Sequence, residues 1–307
     1  MKILLIAGGW SSERDVSLRG AESVSATLRG LGHAVDLFDL LEGFDRLLVT
    51  AGQYDFAFIN LHGAPGEDGL VQAMLERAGC PYQGAGPAGS FLALNKAAAK
   101  QVFRQAGLPT ADWEFLPGPP ASDWQPRLPY PLFVKSNTGG SSLHLGRAQN
   151  RAGLDALLSD IFAAGQEALL EPELRGREVT CGVLGEEPLP PLLIEPVAGD
   201  FFDYESKYAT GGAREICPAP IGEALTARVQ TLALQAHRAL GLYGYSRTDF
   251  ILGADDSLTL LEVNTLPGMT GTSLVPQEAA AAGLDFGQLL ERLIQLGLQR
   301  HQRKRPG

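Results

Sequence analysis

Residues 247–274 read RTDFILGADDSLTLLEVNTLPGMTGTSL. Two apolar-alternating arms, RTDFIL and LTLLEVN, flank the polar turn GADDS, a pattern that predicts a β-hairpin. With the turn centred between Asp255 and Asp256, Arg247 falls opposite Asn264 and Asp249 opposite Glu262. Strand side chains alternate faces, so all four project from one side of the sheet, and Leu260 is expected beside Ile251 on that side. Directly opposed Cβ atoms lie about 5 Å apart, and two like charges there destabilise a hairpin. A cation between the carboxylates removes that cost. Two carboxylates and an amide oxygen form an all-oxygen donor set suited to Mg²⁺ or Mn²⁺, so Asp249, Glu262 and Asn264 are candidate metal ligands. Arg247 beside them is a permanent cation fit to clamp a phosphoryl group or a developing oxyanion. The competing reading is a surface hairpin with solvated charges. The Gly- and Thr-rich loop that follows at 265–273 favours the metal reading.

The chain has 307 residues, enough for two or three domains with a large core. Its 25 basic and 35 acidic side chains leave a net charge of −10, which disfavours non-specific binding to nucleic acid or anionic membrane. Cys80, Cys181 and Cys217 show no CxxC spacing, so neither a disulfide framework nor a zinc site is expected, and a reducing cytosol fits. The opening MKILLIAGG resembles a signal peptide, but its apolar run stops after Ala7. No segment approaches the roughly 20 apolar residues of a membrane span. A cytoplasmic protein without nucleic-acid or membrane partners is the expectation.

KILLIA, a Gly8-Gly9 turn, a helical pattern from Ser17, then AVDLFDL and FAFINLHG give an alternating β-α order over about the first 90 residues. This predicts a parallel sheet. Ligands bind beyond the carboxyl ends of such strands, which places Glu13 and His62 on one functional edge. The GAGPAG run at 84–89 matches GxGxxG. It follows too short a strand, holds Pro87, and lacks the later acidic residue, so it reads as a turn into a helix over 90–105. That helix carries Lys96 and Lys100 on one face. The strand LFVK ends in Lys135 and opens into SNTGGSS, a hydroxyl-rich loop able to cradle phosphates. Strands EALLEP, REVTCGVLG and PLLIEP carry Glu171 and Glu178. The aromatic, charged segment FFDYESKYATGGAREICP has no clean period, as in functional loops. A metal set, a phosphate cradle and an arginine together point to phosphoryl transfer or phosphate-activated chemistry.

The stretches GGWSSERDVSL, LHGAPGEDGLVQ, the Lys96 helix, KSNTGGSS, FFDYESKYAT, SRTDF and LLEVNTLPGMTGTSLVP occur in order from residue 8 to 276. Together they strongly resemble the D-alanine–D-alanine ligases of the ATP-grasp superfamily. The resemblance implies an α/β, three-domain ATP-grasp architecture with an N-terminal parallel-sheet, Rossmann-like domain. Its units would be 1–90, 91–177 and 178–307. ATP would lie between two antiparallel sheets, with Lys96 and Lys135 on its phosphates, Glu171 and Leu174 at the adenine, and Glu178 on the ribose. Lys207 would reach the transferred phosphate. Asp249, Glu262 and Asn264 would hold two Mg²⁺ or Mn²⁺ ions. Glu13, with His62 nearby, would take the ammonium of the first D-alanine. Ser141 and Tyr208 would meet Glu13 to seal the site. Arg247 and the Gly268 amide would stabilise the tetrahedral oxyanion, and Ser273 and Leu274 would seat the second D-alanine. The implied product is D-alanyl-D-alanine for peptidoglycan, with D-lactate or D-serine as alternative acceptors, and the expected assembly is a homodimer. His144 and Pro172 depart from the family pattern, standing where Gly and Lys are common.

Overall fold

The run KILLIA forms β1 (Lys2–Ala7), buried from Ile3 to Ala7. A strand covered on both faces needs parallel neighbours and flanking helices. β1 lies between β2 (Ala34–Asp39) and β3 (Phe56–Ile59), parallel to both. Around them run α1 (Arg14–Gly30), α2 (Phe44–Ala51) and α3 (Leu70–Ala78). The computed structural model describes residues 1–139, 145–196 and 213–304. Gly8 and Gly9 leave β1 at φ +73° and +76°, a left-handed turn that glycine adopts without strain. Their amides reach Ser17 Oγ and Asp39 Oδ1, which starts α1 at the carboxyl edge of the sheet.

The single helix expected over 90–105 is two, α4 (Pro87–Leu94) and α5 (Lys96–Gln105). Asn95 is extended between them, and its side chain accepts the Ala98 N–H. Capping by Asn outcompetes helical continuation there. As read from the sequence, GAGPAG is a turn into a helix. Its glycines serve packing: a Cβ on Gly86 would collide with the Arg300 guanidinium.

An antiparallel sheet follows in the order β4 (Glu114–Leu116), β7 (Ala168–Pro172), β5 (Leu132–Ser136), β6 (Gly146–Ala148). Leu154, Leu158 and Ile161 of α6 (Arg151–Ala163) fill its apolar side. A second antiparallel sheet runs β11 (Ala213–Ile216), β10 (Leu192–Pro196), β8 (Arg177–Leu184), β12 (Tyr245–Leu252), β13 (Leu258–Asn264), with β9 (Glu187–Pro188) paired to β8. It packs on α7 (Glu223–Ala239) through Val179, Val183, Val229, Ala233 and Phe250. Two helices close the described chain, α8 (Leu274–Ala281) and α9 (Phe286–Lys304). Leu289, Leu290, Leu293 and Ile294 of α9 join the core of the first sheet beside Ile3 and Phe56.

The hairpin pairs Arg247 with Asn264 and Asp249 with Glu262. Nearer the turn the register changes by one, so Phe250 faces Leu260 and Ile251 faces Thr259. Leu260 is fully buried, which corrects its expected place beside Ile251 on the site face. The turn closes one half-residue earlier than counted, with Gly253 N–H on Ser257 O, and a bulge at Leu261 restores the count.

Candidate active site

Glu13 precedes α1 at the end of the β1 turn and is 7% exposed. His62 follows β3. The two loops meet where a Cβ on Gly63 would stand 3.4 Å from Glu13 Oε2. Both side chains line a cavity of about 530 Å³, within the range of small-molecule sites. Burial lowers the His62 pKa against the pull of Glu13, so the imidazole stays neutral at neutral pH. Lys96, Glu178, Arg247, Glu262 and Asn264 enter the same cavity, and so do Gly268, Ser273 and Leu274.

The floor is the hairpin. Arg247 grips Asp249 bidentately, Nε to Oδ1 at 2.8 Å and one terminal nitrogen to Oδ2 at 2.7 Å. Thr180 Oγ1 adds a bond to Asp249 Oδ1 at 2.8 Å. Burial opposes the Arg247 charge, but Asp249 and Glu262 outweigh it and raise its pKa. Lys96 Nζ lies 3.3 Å from Glu262 Oε2 and donates to Gly139 O at 2.7 Å. The like charges of Asp249 and Glu262 are thus each matched by a side-chain cation. Asn264 Oδ1 accepts the Leu266 N–H at 2.8 Å, which fixes the amide at the head of the loop. Two carboxylates and an amide oxygen on one face fit a hard divalent cation. Among the described residues no group of three or more His, Cys, Asp or Glu forms a metal cluster.

Lys135 and Glu171, diagonal across the β5–β7 pair, are not among the residues that line this cavity. Glu171 is 4% exposed and binds Lys100 and Lys135, each at 2.5 Å. Burial acts to raise the Glu171 pKa, but the two ammonium groups overcome it and hold the carboxyl below its ordinary value. Leu174 follows β7, half-buried. The loop behind Lys135 docks on α5: Asn137 O accepts the Lys96 N–H at 3.0 Å, and Asn137 Oδ1 accepts the Ala97 N–H at 2.9 Å. Ser141 and His144 in that loop, and Lys207 and Tyr208, lie outside the described residues.

Three buried ionisable side chains had no assigned role in the sequence. Lys100, paired with Lys96 by helical spacing, turns instead to Glu171 and to Thr110 Oγ1 at 2.7 Å. Burial lowers its pKa. Glu67, inside LHGAPGEDGLVQ, lines the cavity, and burial with nearby Glu13 pushes its carboxyl up to about 8 against Lys96. Burial likewise raises Glu278 to about 8, against Arg247. An acid within the stretch LHGAPGEDGLVQ was the available signal for Glu67.

The sequence profile described as D-ala D-ala ligase C-terminus matches residues 102–295. A D-alanine–D-alanine ligase of Desulfovibrio desulfuricans is 76% identical over 97% of this chain and 97% of its own. The chain belongs to the D-alanine–D-alanine ligase family. Another ligase, from Nitratidesulfovibrio vulgaris, is 64% identical over 97% of this chain and 98% of its own. The crystal structure of the Bacillus anthracis ligase superimposes with a TM-score of 0.90 at 34% identity, covering 99% of this chain and all 100% of that one. Its complex with ATP superimposes at 0.88 with 32% identity, covering 99% and 100%. The ligase fold is therefore the ATP-grasp α/β architecture, with the three-stranded parallel sheet at its start.

Proposed function

We propose that this chain joins two D-alanines into D-alanyl-D-alanine, with ATP cleaved to ADP and phosphate through an acyl phosphate. The observation that carries the reading is the convergence of Glu13, Lys96, Arg247, Glu262, Gly268 and Ser273 on one cavity. A carboxylate is a poor electrophile, so its oxygen attacks the γ-phosphorus and ADP leaves. The amine of the second D-alanine, having lost its proton, then attacks the acyl carbon. The tetrahedral intermediate collapses and phosphate departs.

In this reading Glu13 takes the ammonium of the first D-alanine, with neutral His62 beside it. Arg247 and the Gly268 N–H meet the oxyanion, and Ser273 and Leu274 seat the second carboxylate. Lys96 and Lys135 hold phosphate oxygens, Glu171 and Leu174 border the adenine, and Glu178 takes the ribose. Ser141 and Tyr208 would meet Glu13 and keep water from the acyl phosphate, and Lys207 would reach the transferred phosphate. Asp249, Glu262 and Asn264 would hold Mg²⁺ or Mn²⁺, which would supply positive charge against the transferring phosphoryl group. The units 1–90, 91–177 and 178–307 remain our division of these tasks. The free thiols Cys80, Cys181 and Cys217 and the use of ATP favour a cytoplasmic enzyme. A homodimer is the assembly we propose.

The test is phosphate release with ATP, Mg²⁺ and D-alanine, with products identified by mass spectrometry over D-alanine, D-serine and D-lactate as acceptors. Release that yields only D-alanyl-D-alanine supports the reading. Depsipeptide as the main product replaces the acceptor, and absence of release removes the enzymatic reading.

A further inference from the structure

Glu278 is fully buried on α8, and none of the chemistry above employs it. Its Oε2 accepts the Gly182 N–H at 2.8 Å, and its Oε1 meets no hydrogen-bond donor among the described residues. Gly182 is the residue of β8 paired with Arg247 of β12. Side chains of directly paired residues leave the same face of a sheet. A Cβ on Gly182 would therefore stand beside the Arg247 stem, and Glu278 Oε2 lies 2.6 Å from that position. The carboxyl and Leu189, whose Cδ1 lies 2.9 Å from that position, together fill the gap that the absent side chain leaves.

The other end of α8 belongs to the acceptor side of the cavity. The helix begins at Leu274, directly after Ser273. Ser273 Oγ accepts the Thr270 N–H at 3.1 Å and would lie 2.9 Å from a Cβ on Gly268. One helix thus links the Gly268–Ser273 turn at its start to the strand partner of Arg247 one turn later.

We propose that Glu278 is a positioning residue for the ligation step, holding α8 to Gly182 so that Gly268, Ser273 and Leu274 keep a fixed distance from Arg247. This rests on the roles given to those four residues above. The raised pKa agrees with a hydrogen bond and a shape, rather than a charge, as the holding element. Glutamine keeps both, and alanine keeps neither. A merely structural role is the competing account, since Val275 and Ala279 of α8 also pack into the first core.

The experiment measures kcat, separate KM values for ATP and for each D-alanine, and thermal midpoints. It compares Glu278→Ala, Glu278→Gln, Gly182→Ala and Ser273→Ala with the unaltered enzyme. Expected for Glu278→Ala and Gly182→Ala is a fall in kcat and a rise in the second D-alanine KM of at least roughly tenfold, with the ATP KM within about twofold. Glu278→Gln is expected within about threefold of the unaltered enzyme in every constant. Full activity of Glu278→Ala below its melting temperature overturns the proposal, and so does damage shared equally by the ATP KM. Equal damage in Glu278→Gln and Glu278→Ala does the same. If Glu278→Ala does not fold, Gly182→Ala and Glu278→Gln decide on the same criteria. Ser273→Ala separates the layers. An unchanged second KM there removes the acceptor seat itself, whereas a raised one with unaffected Gly182→Ala removes only the positioning role.

Discussion

At Glu171 one carboxylate serves two lysines, Lys100 and Lys135, all three largely out of water. Removing the shared charge leaves two ammonium groups facing each other in low dielectric. Glu171→Gln is therefore expected to cost about 3–5 kcal/mol of folding stability, read by urea denaturation. A cost below about 1 kcal/mol would show that the lysines find other partners. Glu262→Gln should behave in the opposite sense. Glu262 is about a third exposed and Lys96 keeps its bond to Gly139 O, so the fold loses little, while a proposed metal ligand goes. Turnover with Mg²⁺ is expected to fall by at least roughly 100-fold, with the thermal midpoint nearly unchanged. Near-normal turnover would remove Glu262 from the metal set. The pairing of Asp249 with Glu262 was legible because strand register is arithmetic on sequence positions. The role of Lys100 was not, because helical spacing tells which side chains share a face but not which one the fold buries.

Between elements, the contact of α7 with β12 includes a buried histidine. His237 Nδ1 lies 2.7 Å from Ser246 Oγ, and burial lowers the His237 pKa to about 4. The folded state thus resists a proton that the unfolded chain accepts near 6.5. Stability from this group is fully present above about pH 6.5 and is lost as the pH falls through about 4. The loss amounts to about 3 kcal/mol. Unfolding free energy measured from pH 7 to 4 should show that decline, and His237→Gln should flatten it. An unchanged slope in the variant would assign the acid sensitivity to other groups. The strands on either side of the histidine were readable as apolar alternation. The bulge at Leu261 was not, since a one-residue insertion leaves no mark in the hydrophobic pattern except a phase that the turn count happened to absorb. The break at Asn95 was open to reading as a cap, but the apolar spacing on both sides runs through it.

Across the whole molecule, the first and last described elements share one core. Ile3, Leu28 and Phe56 pack with Leu289, Leu290 and Leu293, and His33 binds Glu291 at 2.7 Å. The β-α alternation of the first 90 residues was plain in the sequence, but the helix that covers that sheet lies some 200 positions away, beyond any local pattern. A chain ending before Phe286 should leave this apolar surface open and fail to give a cooperative thermal transition by circular dichroism. A normal transition would show that the sheet is closed without α9. The same arrangement reaches back into the making of the protein. During translation at roughly 5–20 residues per second, the first sheet waits some 10–40 s on the ribosome for α9 to be made. For that interval its uncovered face is material for chaperones or for aggregation. Pauses in synthesis between the two segments lengthen the exposure. Cellular yield of the enzyme then depends on how quickly the last helix follows the first strands.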